Sequence, residues 1–132
     1  MIPDRIADRF VLHRATPEVT VDQHVRRRVI ELGEWVMARE RVYLDKCFWI
    51  HLRTARMNEP SPTGASALMA SLAAGVSAGR LICPISDVLF LELMKQTDPA
   101  TRIATAGLID ELSCGVSLSP EPTRVATEVA HF

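Results

Sequence analysis

Two short apolar runs, each closed by a polar residue that opens a helical period, constrain this chain most. Val42-Tyr43-Leu44 ends at Asp45, and Leu81-Ile82-Cys83-Pro84-Ile85 ends at Ser86. Runs rich in β-branched, aromatic and other apolar residues, bounded by cap and turn residues, read as short buried strands. Between them lie stretches with three- and four-residue apolar spacing, at 46–57 and 66–78. Strands separated by helices cannot pair as a hairpin; they need crossover connections, which make the sheet parallel. Val116-Ser117-Leu118 reads as a third, weaker strand. The expected fold class is therefore α/β, with a short parallel sheet of about three strands flanked by helices.

The remaining periodicity fills in the helices. Val25, Val29, Leu32 and Val36 predict a long helix over 21–41, with Thr20 or Asp22 as its cap. Pro60 and Pro62 mark a loop at 58–63, and Gly79 suits the position just past the end of the 66–78 helix. Ser86 is expected to cap a helix over 87–96. Pro99 opens another to about 112, closed by Gly115, and Ser119-Pro120 begins a last one. The organisation expected is an N-terminal segment with the long helix at 1–40 and a core at 41–132. No internal repeat or low-complexity tract is seen.

Charge narrows the function classes. Fifteen basic against sixteen acidic residues give a formal net charge of −1, which argues against a protein that coats nucleic acid by charge alone. The three cysteines, Cys47, Cys83 and Cys114, form no CxxC or CxxH pair and have apolar neighbours. They read as buried free thiols in a reducing compartment. The N-terminus lacks a basic region followed by an apolar stretch, and no apolar run approaches the ~20 residues that span a bilayer. The expectation is a cytoplasmic protein without membrane association.

Two carboxylates stand out. Asp45 ends the first strand, and ligand sites of open α/β sheets gather outside the carboxyl ends of strands. Its alternative role is to cap the helix that follows. Glu92 sits in Val88-Leu89-Phe90-Leu91-Glu92-Leu93-Met94, the one acid in an otherwise apolar helix. A helix apolar all round is normally buried, and a buried carboxylate is costly unless paired or metal-bound. The alternative for Glu92 is an ion pair with a basic side chain. Together the two acids suggest a hard-cation site, since Mg²⁺ is usually held by one or two carboxylates with waters and substrate phosphates.

A resemblance adds specificity. Val42-Tyr43-Leu44-Asp45 followed by Cys47-Phe48-Trp49-Ile50 resembles the opening of PIN-like domains, where a hydrophobic strand delivers the first active-site Asp. The stretch from Gly79 to Asp87, leading into Leu91-Glu92-Leu93, is similar to that family's second strand and Glu-bearing helix. The resemblance covers about residues 40–132. It implies that Asp45 and Glu92 are the catalytic metal ligands of a Mg²⁺- or Mn²⁺-dependent ribonuclease hydrolysing RNA phosphodiesters, the activity typical of toxin members.

The pattern also departs from the family. PIN-like proteins carry a third acid, and often a fourth, in a later strand-and-helix region, whereas this sequence stops at His131-Phe132. Asp110 falls in a helix before the third strand, and Glu121 and Glu128 fall on the last helix, where they read as solvated. The expectation is an incomplete PIN-like domain, either truncated or without catalysis, with exposed apolar helix faces and a tendency to self-associate or take a protein partner. The alternative function is a non-catalytic protein-interaction module on a PIN-like core.

Other features carry less. Arg26-Arg27-Arg28 could touch phosphates, but Glu31 and Glu34 are interleaved with it, as on a solvated helix face. The four histidines lack zinc spacing, and no Gly-rich phosphate loop or GxSxG nucleophile motif is present.

Overall fold

A computed structural model describes residues 14–57 and 64–130. The loop expected at 58–63 and residues 1–13 lie outside the described residues. The chain divides into two units, Met1–Ala38 and Arg39–Phe132.

The first unit contains helix α1, Val21–Met37. Thr20 starts it in extended geometry. Its hydroxyl accepts from the Gln23 N–H at 3.2 Å, and the Gln23 side chain accepts from the Thr20 N–H at 3.0 Å. This reciprocal capping satisfies two backbone donors that the first turn otherwise leaves open. The helix stops short of the expected residue 41 because Glu40 and Arg41 are taken into a sheet. α1 buries none of its residues.

In the second unit, β1 (Glu40–Arg41) runs parallel to β2 (Leu81–Ile82), with Glu40 opposite Leu81 and Arg41 opposite Ile82. The Val42 N–H, donating to the Ile82 carbonyl at 2.9 Å, extends the ladder by one rung. The strand expected over 41–45 is thus shorter and begins earlier. After Val42 the chain turns into the next helix, and the Leu44 carbonyl accepts the Trp49 indole N–H (3.1 Å).

The third strand is reduced to a single parallel bridge between Ile85 and Ser117, so the sheet has two strands where about three were expected. The Ile85 N–H donates to the Val116 carbonyl at 3.3 Å, and the Leu118 N–H returns to the Ile85 carbonyl at 2.9 Å. Two causes shorten the ladder. Pro84 has no N–H to donate, and the Cys83 N–H goes to the Leu112 carbonyl, at the end of a helix, at 2.8 Å.

Helices make up most of the unit: α2 (Lys46–Met57), α3 (Gly64–Ser77), α4 (Asp87–Met94), α5 (Pro99–Ser113) and α6 (Glu121–Ala130). The architecture is mixed α/β and mainly helical. As expected, Ser86 caps α4, accepting from the Leu89 N–H at 3.2 Å. Asp98 caps α5, with Pro99 in its first turn, and the Thr101 hydrogen bonds hold the Asp98 carboxyl below its ordinary pKa. Gly79 ends the α3 turn at φ +68°, and α5 ends in two successive left-handed residues, Cys114 and Gly115. The turn expected at Gly115 therefore begins one residue earlier.

The core forms where α2, α3 and α5 pack on one another, with α4 against α5 and α3 over β2. Trp49, Leu52, Ile82, Leu93, Leu108 and Leu112 are essentially removed from solvent. Parts of α3 and α6 remain open: Leu68, Val125 and Val129 are exposed, in line with the expected partial exposure of those helices.

α3 meets β2 closely at Gly75, where an added Cβ would lie 2.5 Å from Leu81 Cδ2 and 2.9 Å from its Cγ. Gly107, exposed in the middle of α5, has nothing within 4 Å of such a Cβ. Gly75→Ala is expected to destabilise the protein by about 1 kcal/mol or more despite alanine's better helix propensity, because Leu81 must be displaced. Gly107→Ala should stabilise it by about 0.5–1 kcal/mol. Urea midpoints of the two variants test both signs.

Candidate functional site at the end of the first strand

The backbone places Asp45 where the chain leaves the sheet and α2 begins. Its carbonyl accepts from the Phe48 N–H at 3.0 Å and the Trp49 N–H at 3.3 Å, closing the first turn. One carboxylate oxygen, Oδ1, accepts from the Lys46 N–H at 2.7 Å, and Oδ2 accepts from the Cys47 thiol at 3.5 Å. The Asp45 carboxylate thus takes the first N–H of α2 rather than the second- or third-position N–H that a capping side chain takes. A carboxylate offers about four acceptor directions, so these two contacts leave capacity on an exposed side chain.

Glu92, on α4, meets the side chain of the next residue, Lys46. Its Oε2 lies 3.2 Å from Lys46 Nζ, and both side chains are half exposed, at 42% and 49%. The premise that α4 is apolar all round and therefore buried does not hold. Leu89 and Leu93 are buried, whereas Val88, Phe90 and Leu91 are exposed. Glu92 sits beside that wet face, which removes the burial penalty and leaves an ion pair at the surface. Such a pair contributes little to stability, about 0–1 kcal/mol.

Lys46 therefore links the two acids, with its backbone N–H on Asp45 and its ammonium on Glu92. Sequence reasoning missed this residue, although its position directly after Asp45 was a usable signal. It also missed Tyr43, whose hydroxyl lies 3.5 Å from Ser86 Oγ. That contact ties the end of the first strand to the cap of the Glu92 helix. Tyr43 and Phe48, flanking Asp45 in sequence, are both exposed.

The donor set at this edge is two accessible carboxylates. It suits a hard divalent ion that keeps much of its water, such as Mg²⁺ or Mn²⁺, better than a closed structural site. Among the described residues no group of three or more His, Cys, Asp or Glu side chains is placed to hold a metal ion. Asp110 is exposed on α5. The side chains of Glu121 and Glu128 lie outside the described set.

The arginine triplet on α1 is largely engaged within its own helix. Arg28 pairs with Glu31 at 2.7 Å and Arg27 with the same carboxylate at 3.8 Å. Among the described residues, no helix is long and apolar enough to cross a membrane. No family model, curated protein or solved structure matches the chain.

The expectation that the three thiols are buried holds fully for Cys83 alone, since Cys114 is half-buried and Cys47 is exposed where α2 begins. Cys47 is exposed next to Asp45, and Cys83 is fully buried, with its thiol pushed from 9.0 to about 11 by burial and by the neighbouring Cys114. In the folded chain at pH 8, a disulfide reagent should modify Cys47 first and Cys83 only on unfolding. The unfolded Cys83 ionises near its ordinary value while the folded thiol holds its proton. The folded state should therefore lose stability as pH rises from about 9 to about 11. Urea midpoints across that window should fall less in Cys83→Ala than in the wild type.

Proposed function

We propose that the Arg39–Phe132 unit is a PIN-like domain that binds Mg²⁺ or Mn²⁺ through Asp45 and Glu92 and hydrolyses RNA phosphodiesters. The observation that carries this reading is the meeting of the two acids, distant in sequence, on the single residue Lys46. Lys46 gives its backbone N–H to Asp45, at the end of the first strand, and its ammonium to Glu92, on α4. The motif resemblance independently names the same two residues.

A divalent ion held there would polarise a phosphodiester oxygen and neutralise charge developing on it. The protein supplies the rest by binding and orientation. Asp45 is fixed by the first turn of α2, and Glu92 is carried on a helix anchored by the buried Leu89 and Leu93. Tyr43 and Phe48 offer exposed aromatic faces on which the bases of a single strand can stack, each worth about 1–3 kcal/mol where such stacking forms. The near-neutral charge of the chain gives little long-range attraction for RNA, so these local contacts carry more of the recognition.

With only two carboxylates on the ion, cleavage is expected to be slow. The full chain incubated with a single-stranded RNA and Mn²⁺ should give products that a chelator suppresses. Asp45→Asn and Glu92→Gln should each reduce the rate at least about tenfold, the scale of losing a group that fixes the ion. Cleavage that persists unchanged in both variants, or in chelator, would refute the nuclease reading.

A second reading is favoured by the exposed apolar side of α4. Val88 and Leu91, three residues apart on one helix face, are 62% and 60% exposed. Apolar surface left open in this way marks an interaction site, as for a non-catalytic module that takes a protein partner or a second copy of itself. Size-exclusion runs over a concentration series should show elution shifting earlier as concentration rises, and Val88→Glu with Leu91→Glu should remove the shift. A monomer at every concentration would exclude self-association through this face.

A further inference from the structure

We propose that α1 is a self-association helix, which pairs antiparallel with α1 of a second copy of this chain. The starting observation is a helix of 17 residues that buries none of them. Isolated helices of about this length are marginal in water, and most helical stability comes from covering an apolar face. α1 has such a face. Val25, Val29, Leu32 and Val36 follow the alternating four- and three-residue steps of a coiled-coil seam, and Val21 lies one turn before them. Val21, Val25, Val29 and Leu32 are 67%, 52%, 64% and 47% exposed, and Val36 is half-buried.

The charges along the helix identify what covers that face. Before Ile30, Arg26, Arg27 and Arg28 stand against Asp22 alone, whereas from Ile30 on Glu31 and Glu34 meet no basic residue. A helix with a basic first half and an acidic second half repels a parallel copy of itself and attracts an antiparallel one. The apolar pattern has the same symmetry. Setting Val29 against Leu32 of the second copy also sets Val25 against its Val36, so every layer is apolar on apolar. In that register Arg26 falls within one residue of Glu34 of the second copy. Both are exposed, and neither enters an ion pair among the described residues. Gly33, beside Glu34, has nothing within 4 Å of an added Cβ, so an arginine side chain can cross it.

Two kinds of layer, each repeated by the twofold axis, fall short of the roughly 1,200 Å² that stable complexes bury. The pair therefore forms at high protein concentration and dissociates on the dilution of a size-exclusion column. It uses no residue of α4, and the test is made on the full chain carrying Val88→Glu and Leu91→Glu so that α4 takes no part. Cys47→Ser and Cys114→Ser remove the native thiols that are not fully buried. Val25→Cys and Val36→Cys are then made in separate chains and equilibrated in a glutathione redox buffer at high and low protein concentration. In the antiparallel pair the two copies of either position lie about 16 Å apart along the axis, beyond the reach of a disulfide. Neither chain alone should cross-link above background, and an equimolar mixture should give at least about tenfold more covalent dimer.

Val29→Ala with Leu32→Ala keeps helix propensity while emptying the seam, and it should remove the excess, with circular dichroism confirming that the helix remains. Sedimentation equilibrium on the chain with its native cysteines gives a second measurement. Its average mass should rise with concentration, and the two alanines should hold it at the monomer. Cross-linking of the mixture no greater than that of either chain alone, at every concentration, overturns the pairing. Equal cross-linking by Val25→Cys alone overturns the antiparallel arrangement, and an excess or a mass increase that survives the two alanines overturns the seam.

Discussion

The rest of the second unit depends on the buried indole of Trp49. Its ring is almost wholly removed from solvent, and its N–H donates to the Leu44 carbonyl at 3.1 Å. Burying an aromatic of this size is worth several kcal/mol, and truncating one to alanine costs about 3–5 kcal/mol. The hydrogen bond adds only about 1 kcal/mol, but it decides geometry. It satisfies a carbonyl that has left the ladder, and so allows the chain to leave the sheet after one extra rung and enter α2 at once. Asp45 and Lys46 lie at that exit, which makes their placement a consequence of core packing.

This dependence matters because the sheet itself is too small to orient anything alone. β1 and β2 pair over two residues each, and the third segment touches the second through one bridge. A ladder of that length contributes few hydrogen bonds, and an isolated two-stranded pair is marginal in water. The helices supply the missing rigidity. α2, α3 and α5 enclose Leu52, Leu108 and Leu112, and α4 is held by Leu89 and Leu93. The candidate site therefore sits on a helical framework that uses a minimal sheet to set the order of its elements.

Much of this was legible in the sequence because it is locally encoded. Thr20 before α1, Ser86 before α4 and Pro99 at the start of α5 are start signals whose physics acts within a few residues, and the structure uses each of them. The extent of the strands was not legible, because it is decided by competition for backbone groups. The Leu112 carbonyl takes the Cys83 N–H from far along the chain, and the Trp49 indole takes the Leu44 carbonyl from five residues on. Asp45 and Glu92 could be singled out by residue type and position. Their linkage through Lys46 could not, because it depends on how α4 is set against the start of α2. The expectation that Glu92 lies in an all-apolar, buried helix failed for a related reason. A run of hydrophobic residues shows what can be buried, and the neighbouring elements decide how much of it is.

The contact between Gly75 and Leu81 bears on how this sequence can drift over generations. The Leu81 side chain occupies the space that a methyl group at Gly75 would need, so the fit of helix on strand at this point is set by one leucine against a residue without a side chain. Mutation can change nearly every neighbour of that glycine in small steps, since leucine, isoleucine and methionine exchange at modest cost in a core. The glycine has no such intermediate, because alanine is already its smallest replacement. Lineages descending from this chain should hold position 75 nearly fixed while the surrounding apolar residues turn over, and a relative with a larger residue there should carry a smaller one in place of Leu81.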